Sequence, residues 1–312
     1  MISEKHPQLS VILLAAEKRE LAQQVINAIV DQTQASALEL VIVDLTKETA
    51  APFVTPPDFP IVHVKLPAET TVSRARVEGV RRARADAVAF IEDHCVPSST
   101  WAETLIEAHS SAWAVVGYAF RPANSMYLSR AGLMAEYGLW QAPIPSGEYR
   151  QMACNNISYK RNILLQQGDL LEGLLTPDFV LHEKLHGEGI PFYVEGRAIV
   201  SHHELHSLVM IMQANHEYAR LLATLRARPW GTWRRALYIL GAPLGAPVIR
   251  LIRLATSLTN RRSLWIQFLL AIPAVALIYI WSAIGESIGY LLGPGASART
   301  FGYWELSAER IL

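Results

Sequence analysis

Residues 87–97 read AVAFIEDHCVP. Five small or apolar residues, Ala87 to Ile91, run directly into Glu92-Asp93-His94-Cys95. A short continuous apolar run predicts a strand covered on both faces. The polar residues that follow then lie at the carboxyl end of that strand. Upstream the pattern repeats. Leu9 to Ala16 (LSVILLAA), Leu38 to Asp44 (LELVIVD) and Ile61 to Leu66 are further apolar runs. Between them lie helical spacings. Arg19 to Gln32 sets Leu21, Val25, Ala28 and Ile29 on one face, and Val72 to Arg84 carries an Arg-rich outer face. Downstream, Ser99 to Ser110 opens on Pro-Ser-Ser-Thr, which predicts a capped helix, and Trp113 to Ala119 predicts another strand. Strands alternating with helices in this way predict an α/β fold with a mainly parallel sheet. Such sheets bind ligands beyond the carboxyl ends of their strands. Asp44 and Glu92-Asp93-His94 belong to that edge.

The chain has 312 residues, 51% of them hydrophobic, enough for one large domain with an appendage. Its 28 Lys and Arg balance 28 Asp and Glu, so net charge offers no attraction to nucleic acid. The balance hides an asymmetry. No Asp or Glu occurs from Tyr218 to Gly285, whereas Arg226, Arg228, Arg234, Arg235, Arg250, Arg253, Arg261 and Arg262 all do. A basic, apolar third of this kind suits an anionic lipid surface. The two cysteines, Cys95 and Cys154, do not make a disulfide framework and read as reduced, packed thiols. Residues 1–10 are polar and Val11 to Ala16 is too short for a signal core, so the catalytic part is expected in the cytosol.

Beyond residue 120 the pattern loosens. Pro122, Gly132, Gly138, Pro143, Pro145 and Gly147 interrupt it, as in an acceptor-side loop or a packed insertion. A helix is expected around Arg161 to Gln167, and a strand or strand pair over Ile190 to Ser201, ending in His202-His203. Trp233 to Leu258 is apolar with Arg at intervals, broken by Gly241, Pro243, Gly245 and Pro247. Leu264 to Ile284 holds about 21 residues without a charge, near the ~20 needed to cross a bilayer core. Arg261-Arg262 flank it on what the positive-inside rule makes the cytosolic side. The expected organisation is a catalytic domain over 1–215, a basic amphipathic helical segment over 216–262, a transmembrane helix over 263–293 and a tail over 294–312. A helix lying in the membrane interface, or in an oligomer core, is the competing reading of the apolar segment.

In order and spacing, these segments resemble the family 2 glycosyltransferases of the GT-A fold. The resemblance covers roughly Leu9 to Glu204. It is carried by the opening strand with Asp31-Gln32-Thr33 after its helix, and by Val43-Asp44-Leu45 where the family has Val-Asp-Asp. Arg76, Val77 and Gly79 match part of an Arg-Asn-x-Gly element, and Phe90 to Pro97 with Trp101 matches the Asp-x-Asp stretch. Asn155 to Arg161, Pro177-Asp178 and His202-His203 continue the match.

The resemblance implies roles. Asp44 is the nucleotide-base carboxylate, suited to the uracil imide or ribose hydroxyls, and Ala15 and Glu17 line the same pocket. Arg76 approaches the pyrophosphate, with a solvated helix-face arginine as the plain alternative. Asp93 faces the nucleotide. Glu92 and His94 take the metal positions, with His94 replacing the usual second Asp. A divalent ion there, Mn2+ or Mg2+, would neutralise the leaving diphosphate, and a His ligand suits Mn2+ better. Direct hydrogen bonding of His94 to phosphate is the metal-free alternative. Asp178 is the base of an inverting transfer, with Glu172 in reserve, Glu183 on a helix face, and helix capping as the other use of Asp178. Asn155, Asn156 and His202 are placed for sugar or acceptor, His202 also for diphosphate or metal. Adjacent histidines on a strand point to opposite faces, so His202-His203 with Glu204 and His206 is not read as a zinc site. Trp101 and Trp113 read as core.

The function implied is sugar transfer from a nucleotide-diphosphate sugar to a lipid-linked or polysaccharide acceptor in cell-envelope synthesis. The catalytic domain would sit on the cytosolic face of a membrane. A single spanning segment and the lack of a Gln-x-x-Arg-Trp element argue against a processive synthase. The missing second Asp in two motifs motivates the rival reading, a non-catalytic nucleotide-sugar-binding or scaffold protein.

Overall fold

The apolar runs become strands because protein covers both of their faces. A computed structural model describes residues 6–17, 19–47 and 51–306. Strands β1 (Leu9–Ala15) and β2 (Leu38–Asp44) are buried at every position. Helix α1 (Arg19–Val30) connects them, burying Leu21, Val25 and Ile29. Next come β3 (Ile61–Lys65), α2 (Val72–Arg82), β4 (Ala87–Glu92), β5 (Cys95–Pro97) and α3 (Trp101–Ser110). The Thr71 side chain caps α2, accepting from the Arg74 N–H at 3.2 Å. The cap foreseen for α3 is not made, as Thr100 precedes it without a side-chain bond.

After β6 (Val115–Pro122) follow α4 (Tyr127–Tyr137), β7 (Gly147–Glu148), β8 (Ile157–Lys160), α5 (Arg161–Leu165), α6 (Leu171–Leu174), α7 (Phe179–Gly187) and one long strand, β9 (Phe192–His202). Among the described residues the sheet runs β3-β2-β1-β4-β8-β6-β9-β5, with β7 on β9. The β3-β2-β1-β4 half is parallel. The other half departs from the parallel expectation: β8 enters antiparallel between β4 and β6. Register fixes the functional edge, because Ala15 pairs with Asp44 and Leu14 with Glu92.

The chain divides into two units, Met1–Arg121 with Ala142–His202, and Pro122–Gln141 with His203–Leu312. The second unit is helical. It holds α4 with α8 (Leu208–Arg226), α9 (Thr232–Leu258), α10 (Arg262–Leu292) and α11 (Ser297–Glu305). The sequence boundary at 215/216 falls inside α8, which runs unbroken from 208 to 226. Met134, Ile211, Leu254, Phe268, Val275 and Ile278 form the core of this unit. The sequence offers one candidate span; the structure has two helices long and apolar enough to cross a membrane, Thr232–Leu258 and Arg262–Leu292. The second was hidden because Pro243 and Pro247 look like breakers, yet α9 continues through both. Residues 307–312 of the expected tail lie outside the described residues.

Candidate active site

The carboxyl edge of the parallel half gathers Ala15, Asp44 and Glu92 by strand register. Ala15 is buried and the Ala16 N–H donates to Asp93 Oδ2 at 3.1 Å, which ties the end of β1 to the polar run after β4. Glu17 is exposed just beyond.

Asp44 is the hub of one corner. Its Oδ1 accepts from the Thr46 N–H at 2.8 Å, the Thr46 hydroxyl at 2.5 Å and Lys65 Nζ at 3.2 Å. Its Oδ2 faces His63 Nε2 at 3.1 Å and Arg19 Nη1 at 3.4 Å. Burial by itself raises the Asp44 carboxyl, but the bonds from Thr46 and Lys65 outweigh it and hold the group at about 2. Arg19 also lies over the Phe53 ring, 3.7 Å from its centroid. Sequence reading did not foresee Arg19, His63, Lys65 and Thr46 here. Lys65 was the accessible signal, since it is opposite Asp44 at the end of β3.

A second corner follows β4. Glu92, His94, Cys95 and His202 are all buried, and their ligand atoms lie within 4.8 Å of one another. Asp93 Oδ1 accepts from His94 Nδ1 at 3.0 Å, while His94 Nε2 faces Glu92 Oε2 at 3.5 Å. A carboxylate on Nδ1 fixes the tautomer that turns the Nε2 lone pair outward, the usual support of a metal-bound imidazole. The His94 and His202 rings meet edge to face at 4.9 Å. Two imidazoles, a thiol and a carboxylate therefore fit a divalent transition ion, and they fit Mg2+ poorly because it prefers oxygen. Cys95 was missed from sequence. Its place is set by β5 pairing with β9, which puts it opposite His202. Neither cysteine is in a disulfide; Cys95 is buried and Cys154 half-buried. His203, next along, belongs to the other unit.

Asn156 supports this corner and is fully buried. Its Oδ1 accepts from the Glu92 N–H at 3.1 Å, and its Nδ2 donates to Glu92 Oε2. The amide offered in the sequence reading to sugar hydroxyls is thus engaged with Glu92.

The third corner is Asp178, fully buried at the N-terminus of α7. It does not cap the helix with its side chain. Oδ2 instead accepts from the Asn155 N–H at 2.8 Å and lies 4.0 Å from Arg76 Nη1. Oδ1 is buried without a hydrogen-bond partner. Asn155 adopts φ 71°, a left-handed conformation that asparagine tolerates better than most residues and that directs its N–H at the carboxylate. Arg76 is buried rather than on a solvated helix face, and its Nε is unbonded. It donates through Nη2 to the Asn155 carbonyl at 3.4 Å. Nearby, the Tyr159 hydroxyl and His182 Nε2 are 2.8 Å apart. Burial lowers His182, against the pull of Asp178, and pushes Tyr159 well up, so both stay neutral near pH 7. The reserve base Glu172 faces Arg74 at 3.5 Å on the surface, and Glu183 is exposed. Trp101 is fully buried against Tyr118, and Trp113 stacks on Tyr193 at 4.8 Å.

Residues 10–160 match the profile of Glycosyl transferase family 2. No curated protein sequence matches the chain. Among solved structures, the mannosyltransferase PcManGT from Pyrobaculum calidifontis, in complex with GDP-Man and Mn2+, is similar at TM-score 0.53 and 17% identity, covering 93% of this chain and 87% of that one. TarS 1–349 of S. aureus aligns at TM-score 0.46 and 12% identity, over 89% of this chain and 90% of that one.

Proposed function

Because this chain is a glycosyltransferase carrying a family 2 domain of the GT-A type, we propose that it transfers a sugar from a nucleoside-diphosphate sugar with inversion, using Asp178 as base. The observation that carries this is the unequal use of the Asp178 oxygens. Oδ2 is held by Asn155 and Arg76, and Oδ1 has no donor. A buried oxygen left unpaired costs about 1–3 kcal/mol, a cost that a bound donor would relieve. An acceptor hydroxyl would satisfy it. The hydroxyl oxygen attacks the anomeric carbon, Oδ1 takes its proton, and the bond to the diphosphate breaks with its electron pair on the leaving nucleotide. Arg76 Nε is the group on the protein side for that leaving charge.

Glu92, His94, Cys95 and His202 would hold a divalent ion, which would neutralise the diphosphate. Asp44, Ala15, Glu17 and Asp93 are read as the nucleotide side. The apolar, basic helical unit is read as attachment to the cytosolic face of a membrane, which makes a lipid-linked or envelope-polysaccharide acceptor the natural partner. Calorimetric titration of the full chain with nucleoside diphosphates and their sugars, GDP-mannose included, tests the donor. Mn2+, Zn2+ and Mg2+ are compared in the same panel. Binding that Mn2+ or Zn2+ strengthens and Mg2+ does not is expected, and Cys95→Ser should reduce that preference. Donor hydrolysis that survives in Asp178→Asn would overturn the base assignment.

A further inference from the structure

Helix α10 is apolar all round and has 31 residues, about 46 Å of helix. Length alone would let it cross a bilayer. Its neighbours argue otherwise. One side of α10 is buried from Leu264 to Tyr290, so protein covers it along nearly its whole length. Over the first part the cover is α4: the Tyr127 hydroxyl donates to the Leu270 carbonyl at 3.0 Å, and the Tyr279 hydroxyl to the Ala135 carbonyl at 3.0 Å. Over the second part it is α8. A Cβ at Gly285 or Gly289 would collide with the carbonyl oxygen of His216 or Arg220, so the two backbones touch there. Arg220 Nε also donates to the Gly293 carbonyl at 2.9 Å.

If α10 crossed a membrane, α4 and α8 would have to enter it alongside. They carry Arg130, Glu136, Gln213, His216, Glu217 and Arg220, each costly in hydrocarbon. Helix α4 has only 11 residues, about 16 Å, and would end inside the bilayer with irregular backbone beyond it. Helix α9 is bonded to α10 through Arg250, which reaches Ser282 at 2.7 Å and pairs with Glu286. Ser287 donates to the Ile239 carbonyl at 2.9 Å, so the two helices run antiparallel as a hairpin.

The surface that the described residues leave open on this hairpin is rich in large apolar side chains. On α9 it shows Trp233, Leu237, Leu240, Leu244, Val248 and Ile252, at helical spacing. On α10 it shows Ile266, Leu270, Leu277 and Ile280. Around it Arg228, Arg234 and Arg262 are exposed, and no Asp or Glu occurs between Tyr218 and Gly285. An apolar surface with an exposed tryptophan and a basic border is complementary to an anionic lipid leaflet.

We propose that α9 and α10 lie in one leaflet of an anionic membrane and that neither crosses it. The hairpin turn and the end of α10 then remain on the same side of the bilayer as the sheet unit. This rests on the membrane attachment proposed above and adds how the attachment is made.

Two measurements on the full chain separate attachment from its mode. Attachment is read by sedimentation with vesicles of phosphatidylcholine, with and without phosphatidylglycerol. Strong binding to the anionic vesicles is expected, reduced tenfold or more in the Leu240→Glu, Leu244→Glu double variant with helix content unchanged. No binding, with dimers that the same variant dissociates, would mean that a second copy covers the face and would overturn attachment. Mode is read with an impermeant maleimide on sealed inverted membranes from cells expressing Arg82→Cys, Asn260→Cys or Arg299→Cys, against the unsubstituted chain. Equal labelling at all three before detergent is expected. Labelling of Asn260→Cys or Arg299→Cys only after detergent, while Arg82→Cys labels at once, would show a span and overturn the proposal with attachment intact.

Discussion

Asp44 and Asp178 are both buried carboxylates of the sheet unit, but their oxygens are used in opposite ways. Asp44 sits at a strand end and both of its oxygens are taken, by Thr46 and Lys65 on one side and by His63 and Arg19 on the other. Asp178 sits at a helix start and only Oδ2 is taken. The first arrangement stabilises a charge and so suits binding and stability. The second holds the carboxyl group through one oxygen and leaves the other without a donor, which is what the proposed base role asks for. Burial alone does not separate the two residues; the partner of each oxygen does.

The largest expected effect separates them kinetically. Asp178→Asn keeps the shape and the bond from the Asn155 N–H but cannot take a proton. Its turnover should fall about a hundred- to ten-thousand-fold, the usual worth of a positioned base, with the nucleotide dissociation constant within about threefold of the parent. Asp44→Asn should do the reverse, weakening nucleotide binding while turnover of bound donor falls far less. Steady-state kinetics with direct nucleotide titration reads both. Equal loss of turnover in the two variants would abolish the distinction.

The next effect is on stability and pH. The Asp44 carboxyl is held at about 2 against an ordinary value of 3.8. Between those values the unfolded chain binds more protons than the folded one, so stability rises with pH across the window. The contribution is complete above pH 3.8 and is lost as pH falls towards 2. Lys65 and His63 are 40% and 49% exposed, so solvent screening leaves about 1 kcal/mol of it. Thermal unfolding from pH 5 to 2 should therefore show a shallower acid limb in Asp44→Asn than in the parent. Thr46→Val, which removes one hydroxyl bond to Oδ1, should shift the parent's limb to higher pH. A larger acid effect comes from His109, which burial lowers from 6.5 to about 4. The folded state keeps it neutral, so about 3 kcal/mol of stability present above pH 6.5 is lost as pH falls to 4. His109→Gln, which keeps a partner for the Ser158 hydroxyl, should flatten that limb and leave the Asp44 limb in place.

What could be read from sequence follows the range of the forces that decide each element. Strands β1, β2 and β4 were legible because cover on both faces leaves a continuous apolar run, and the edge carrying Asp44 and Glu92 came with them. Strand β8 was not, because its four residues are a strand only by pairing with β4 and β6, both distant in the chain. Cys95 joins His202 for the same reason, through a strand pairing across about a hundred residues. Helix α9 was hidden by its prolines, whose lost bonds are tolerated where a partner helix fixes the path. Asp178 offered itself in the sequence both as a base and as a helix cap, and its side chain does not cap α7. What its side chain holds instead is the Asn155 N–H, and the side chain of a residue does not announce what its backbone will do.

The smallest effect tests that last point. Sequence reading assigned Asn155 a side-chain role toward sugar, whereas its main-chain N–H holds Asp178 at 2.8 Å from a left-handed φ of 71°. Glycine adopts that conformation freely, and alanine pays about 1–2 kcal/mol for it. Asn155→Gly should therefore keep the N–H in place, with turnover within about threefold of the parent and stability within a few tenths of a kcal/mol. Asn155→Ala should lose about 1 kcal/mol of stability and more turnover than glycine does, because relaxing φ swings the N–H away from Oδ2. If the side chain instead holds the sugar, both variants would raise the Michaelis constant alike and glycine would rescue nothing. The contrast between Asp178 and Asp44 would then rest on the unpaired oxygen alone, without the backbone that positions it.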